Sequence, residues 1–159
     1  MAHVWHGRFF RLDTHIARFQ AGINKVRLAL PFDHDQPHAI LAECVRRSKM
    51  VTAYVEMILT RGVCPTFSRD ARDAVNTFIA FAIPLGSVAN EEQIQRGLDL
   101  HISAIPRIQP ESVDQTIKYY HWLDLIVGLL EAYDAGSENV LLVDGVGHVT
   151  EGPGFNIFA

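Results

Sequence analysis

The sequence predicts an α+β fold. Segments whose apolar residues fall three and four apart are interspersed with short runs rich in β-branched residues, in no regular βα alternation. A hydrophobic content of 48% against 20% charged residues is that of a globular chain able to bury a core. The polar, turn-rich stretch at residues 85–90 divides the elements into two groups. The expected organisation is a small domain over residues 1–85, a connector over 86–97, and a second domain beginning at 98 and running to 159.

The elements follow in order. Val4-Trp5-His6-Gly7-Arg8-Phe9-Phe10 reads as a strand and turn. Asp13 is placed to cap a helix whose apolar face is Ile16, Phe19, Ile23, Val26 and Leu30, with Pro31 ending it. A second helix spans about residues 37–48, with Ile40, Leu41, Cys44 and Val45 on one face. Residues 51–60 and 77–83 are short, apolar and β-branched, hence strands, separated by a polar loop at 61–74. A helical turn at 91–96 stops at Gly97, and 98–105 is strand-like. Residues 120–133 are apolar nearly all round, the mark of a buried helix ended by Gly136. Three short strands, at 140–143, 149–151 and 155–158, complete the chain with glycine turns between them.

Composition removes several classes of function. A net charge of −4 and a pI near 6.0 argue against a nucleic-acid or anionic-membrane binder. The longest apolar run, near residues 123–130, is too short for a bilayer span and contains Asp124 and Gly128. Cys44 and Cys64 form neither a metal spacing nor a disulfide framework, and the first residues lack a signal peptide's pattern, so a cytoplasmic setting is expected. His34 and His38 stand four apart, but Pro37 interrupts that helix; no metal site is expected.

Three residues invite a chemical reading. Lys118 enters an apolar segment with Tyr119, Tyr120, Trp122 and Leu123; it is either a solvated lysine or an amine kept nucleophilic by its surroundings. Glu151 precedes Gly152-Pro153-Gly154, as an ordinary turn carboxylate or as one facing a planar ligand that the glycines admit. Arg18 is either a solvated helix-face cation or a phosphate clamp. None of the three is decisive alone.

In order, these pieces resemble the class IV aminotransferases, pyridoxal phosphate enzymes of fold type IV. The likeness is carried by Trp5-His6-Gly7-Arg8-Phe9-Phe10-Arg11-Leu12-Asp13 through Arg18, by Thr116-Ile117-Lys118 with His121-Trp122-Leu123-Asp124, and by Thr150-Glu151-Gly152-Pro153-Gly154-Phe155-Asn156. The nearest resemblance is to (R)-selective amine transaminases and branched-chain aminotransferase-like proteins. It implies a small α/β domain followed by the first part of a large cofactor domain. By the same resemblance Lys118 carries the cofactor and moves protons, Glu151 holds its ring nitrogen, and Arg18 binds its phosphate. Arg69 and Arg72 lie in a loop that in relatives approaches the substrate; they either hold a substrate carboxylate or are solvated. The implied reaction transfers an amino group between an amine or amino acid and a 2-oxo acid, in a homodimer when full length. Family members are longer than this chain, which is therefore expected to be a fragment. The alternatives are a lyase of the same fold, like aminodeoxychorismate lyase, and an inactive remnant. Tyr119 departs from the asparagine that close relatives often carry there.

Overall fold

The computed structural model describes residues 1–158 and divides into two compact units, one of Met1–Gly86 with Thr116–Lys118, the other of Ser87–Gln115 with the residues from Tyr119 onward. Both mix helix and sheet, as the α+β expectation requires.

The first unit is built on a four-stranded antiparallel sheet in the order β2-β1-β3-β4. Its strands are β1 (Ala2–Trp5), β2 (Arg8–Phe9), β3 (Ala53–Val63) and β4 (Val75–Ile83). Alternation along β1 and β3 turns Val4, Ala53, Val55 and Met57 to one face, where two helices cover them. Helix α1 (Leu12–Lys25) contributes Leu12, Ile16, Phe19 and Ile23, a stripe at steps of four and three. Helix α2 (Gln36–Ser48) adds Leu41 and Val45, with Pro37 tolerated in its first turn. Phe32 meets Phe78 edge to face at 4.9 Å.

Two boundaries of α1 differ from expectation. Arg11, in left-handed conformation at φ 51°, occupies the cap, so Asp13 lies inside the first turn, where its charge suits the helix dipole. There Asp13 Oδ1 also meets His38 Nε2 at 2.7 Å. The helix stops at Lys25 rather than near Pro31, because Arg27 turns to φ 54° and Arg61 donates to the carbonyls of Val26 and Arg27 at 2.7 and 2.9 Å. That employs Arg61 as part of β3, not of the loop expected from residue 61. Gly62 at φ 78° forms a bulge against β4, where a Cβ would lie 1.7 Å from the Val75 carbonyl oxygen. The remaining loop, with a 3-10 turn at Ala71–Asp73, hangs beyond that bulge.

The second unit opens with α3 (Glu91–Arg96), which starts on a capping box. The side chains of Asn90 and Gln93 each accept the other's backbone N–H at 2.9 Å. Strand β5 (Leu100–Ile102), helix α4 (Leu123–Asp134) and strand β6 (Asn139–Leu141) then form a parallel crossover, the helix packing beside the strand pair. Leu125, Ala132, Val140 and Leu142 are its core. Gly128 allows the close approach: a Cβ there would stand 3.1 Å from Leu142 and 3.2 Å from Ser103 Oγ.

Helix α4 corrects the expectation of an all-round buried helix over 120–133. It begins at Leu123, and only Leu125, Gly128 and Ala132 are buried, on the face toward the strands. Leu123 is 71% and Leu130 56% exposed, because nothing among the described residues packs on the opposite side. The expected strand at 98–105 contracts to β5, and the terminal ones to β7 (Glu151–Gly152) and β8 (Phe155–Asn156). These two pair around Gly152-Pro153-Gly154, with Gly154 at φ 90°. Leu142 N–H donates to the Glu151 carbonyl at 3.1 Å, so β7 lies alongside the continuation of β6. No helix among the described residues is long and apolar enough to cross a membrane.

Candidate active site

Arg18 and Lys118 both belong to the first unit, and both side chains are exposed. The segment carrying Lys118 is tied to α1 by Lys25 Nζ, which donates to Thr116 Oγ1 at 2.7 Å. Arg18 and Lys118 share a region of positive potential. The Met1 amino group is pushed below its ordinary value, first by burial; Glu56 opposes this, while Arg18 and Lys118 each add repulsion. His15 is likewise lowered, by burial foremost and then by the Met1 amino group, Arg18, His3 and Arg11. Arg18 thus acts on both groups, with Lys118 beside it at the Met1 amine and Arg11 at His15. Tyr54, on the sheet of this unit, is pushed up to about 12 by burial, with Glu56 adding to the effect.

The two loop arginines differ. Arg72 is engaged locally: its Nε donates to both carboxylate oxygens of Asp70, at 2.9 and 3.0 Å, and Asp70 Oδ1 accepts the Arg72 backbone N–H at 2.9 Å. The pair holds the 3-10 turn, and Arg72 draws the Asp70 carboxyl below its usual range. Arg69 is exposed.

Glu151, in the second unit, is the best-defined member of the set. Its Oε1 accepts from Nε and Nη2 of Arg107, both at 3.1 Å. Its Oε2 accepts no hydrogen bond among the described residues, and the side chain is 39% exposed. One oxygen is thus fixed, and the other remains open to a further donor. Gly152 is essential to this local path, since a Cβ there would meet the Phe155 ring at 2.1 Å and the Val140 carbonyl oxygen at 2.6 Å.

Arg107 had no role in the sequence reading, yet it organises this region. It is 5% exposed and reaches Asp124 Oδ2 at 2.6 Å, Gln115 Oε1 at 3.1 Å and the Tyr119 hydroxyl at 3.2 Å. Burial pushes the Arg107 guanidinium downward, but Asp124, Tyr119 and Glu151 outweigh it and its pKa is raised. Asp124 is subject to the same contest: burial lifts it, and the Ile108 N–H, Arg107 and the Leu125 N–H bring it below its ordinary value. A signal for this cluster existed in the sequence. Arg107 stands in Ile105-Pro106-Arg107-Ile108 and Asp124 in an apolar helix, and charges in such surroundings must be paired.

Comparison with known proteins gives the family of the chain. The model of the family "Amino-transferase class IV" matches residues 1–159. A branched-chain-amino-acid aminotransferase of Pseudomonas aeruginosa is 25% identical over 150 residues, covering 94% of this chain and 48% of that protein. A Methanocaldococcus jannaschii protein provisionally given the same activity is 25% identical over 155 residues, covering 98% and 52%. Among solved structures, the branched-chain aminotransferase of Escherichia coli superposes with a TM-score of 0.84 at 18% identity, over 94% of this chain and 51% of that one. A Legionella pneumophila protein provisionally assigned as a 4-amino-4-deoxychorismate lyase gives 0.77 at 17%, over 94% and 53%. These structures establish a shared fold. The chain spans about half the length of the curated relatives it matches. With the family pattern matched from end to end, this chain belongs to the class IV aminotransferases.

Proposed function

We propose that this chain contributes the cofactor-anchoring part of a pyridoxal phosphate-dependent aminotransferase. The whole protein would move an amino group between an amine or amino acid and a 2-oxo acid, as a homodimer in the cytoplasm. The observation that carries this reading is Glu151: one carboxylate oxygen is held by a buried arginine and the other accepts no hydrogen bond among the described residues, which leaves it as the acceptor that a protonated pyridine N–H requires. The first unit would be the small domain, and the second the opening of the large one.

Bound pyridoxal phosphate supplies an electron sink for the pair released when a substrate C–H bond breaks. Lys118 would attach the cofactor and then carry the proton between the two carbons that exchange it, as base and then acid. Glu151 would keep the ring nitrogen protonated. Arg18 would hold the phosphate with its planar fork, with Arg11 and Lys118 adding positive charge nearby. Arg69 is the better candidate of the two loop arginines for a substrate carboxylate, because Arg72 is already committed to Asp70.

The test is spectroscopic and chemical. Adding pyridoxal phosphate should produce a visible absorption band that Lys118→Ala abolishes, and the full-length protein should pass an amino group to pyruvate. Folded chain that gives no band in either form would overturn cofactor binding. Release of pyruvate from an aminated chorismate derivative, without amino transfer, would replace the transaminase with a lyase.

A further inference from the structure

We propose that Tyr119 is a positioning residue, which with Gln115 forms a side-chain strap setting the placement of Lys118. This deepens the reading of Lys118 as the cofactor lysine and rests on it. Gln115 and Tyr119 flank the segment Thr116–Lys118, one on each side. The Tyr119 hydroxyl donates to Gln115 Oε1, so the residues at the two ends of that short segment are joined side chain to side chain. Both are then fastened to one buried group, since Arg107 Nη2 donates to Gln115 Oε1 at 3.1 Å and to the Tyr119 hydroxyl at 3.2 Å. Gln115 Nε2 adds a fourth tie, donating to the Ile108 carbonyl at 2.9 Å. The Arg107 guanidinium also stands 6.0 Å from the Tyr119 ring centre.

The anchor matters as much as the strap. Arg107 is held in turn by Asp124 at 2.6 Å and by Glu151 at 3.1 Å. The residues bracketing Lys118 are therefore registered against the same guanidinium that fixes the Glu151 carboxylate. Tyrosine suits this role where asparagine would not: the shorter amide lacks the reach of a phenol and has no ring to lay against Arg107. Holding a reacting amine within a narrow range of positions is worth large rate factors, so such a strap acts on chemistry without touching the substrate.

Tyr119→Phe and Gln115→Ala test this in the full chain, by amide hydrogen exchange read by mass spectrometry. Removing the phenolic hydrogen bond should accelerate exchange over residues 116–118 by about threefold to tenfold. Exchange over 149–152 and the thermal midpoint should stay put, because Arg107 keeps Asp124 and Glu151. Gln115→Ala should reproduce the pattern, and trapping of pyridoxal phosphate on Lys118 by borohydride should slow in both variants. Unchanged exchange at 116–118 overturns the strap, and so does equal acceleration at both segments, which would mean general loosening. Wild-type protein whose Lys118 takes up no borohydride-fixed cofactor overturns the underlying reading instead, and exchange still decides the strap.

Discussion

At the scale of single residues, Arg107 carries most of the consequence. A buried cation between two carboxylates is stabilising only while the set is complete, because removing it strands both anions. Arg107→Ala should destabilise the protein by about 3–5 kcal/mol in urea unfolding. Arg107→Lys should recover only part of that, since an ammonium cannot serve Asp124, Glu151, Gln115 and Tyr119 together. His15 offers a second measurement at this scale. Burial foremost, and then the cations around it, hold its pKa low, so an anion seated among those cations should raise it. Titrating the His15 ring by NMR with and without inorganic phosphate should show that rise, and Arg18→Ala should remove it. A His15 titration indifferent to phosphate would count against an anion site at Arg18.

At the scale of elements, the glycines and the acid groups make separate demands. Gly152→Ala forces a methyl into the Phe155 ring and the Val140 carbonyl, and should cost about 1–3 kcal/mol of stability by chemical denaturation. Glu138 joins α3 to the turn before β6, accepting from Arg96, from the Asp99 N–H at 2.9 Å and from Gln93 at 3.1 Å. These hold its pKa down at about 2, against 4.5 for an unperturbed glutamate. A depressed carboxylate stabilises the fold above its unfolded pKa and loses that contribution as acid reaches the folded one. Stability should thus fall between pH 4.5 and about 2 in wild type, and less steeply in Glu138→Gln, as followed by circular dichroism. Most elements were legible from periodicity, α2 and α3 nearly to the residue. The end of α1 was not, because a side chain from a distant strand, Arg61, satisfies its last carbonyls. Asp13 misled for a related reason: Arg11 enters the helix by backbone conformation, which side-chain capping rules do not register.

For the molecule as a whole, the outer stripe of α4 is the salient surface. Leu123 and Leu130 are 71% and 56% exposed, beside half-exposed Ile126 and Val127. Contiguous apolar area of this kind binds hydrophobic dyes and promotes self-association. Leu123→Lys combined with Leu130→Lys should lower dye fluorescence and raise solubility, with melting shifted by less than about 0.5 kcal/mol equivalent. A large loss of stability would mean that the stripe is covered after all. From sequence this helix looked buried because its composition is apolar on every side, and composition cannot say which neighbour each side meets. The candidate residues fared similarly. Lys118, Glu151 and Arg18 could be singled out by type and order, whereas the Arg107 cluster depends on contacts between residues far apart in the chain.

The bulge at Gly62 bears on how such a protein can diversify. It lies where β3 and β4 leave the core, and the loop bearing Arg69 and Arg72 begins just past it. Doubling the length of a flexible loop adds only about 0.6 kcal/mol of closure cost. Insertions and deletions at 64–74 are therefore nearly neutral for folding, while Arg107 and Glu151 tolerate almost none. Length changes in the loop and substitutions in the Arg107 cluster should therefore differ sharply in what they cost the fold.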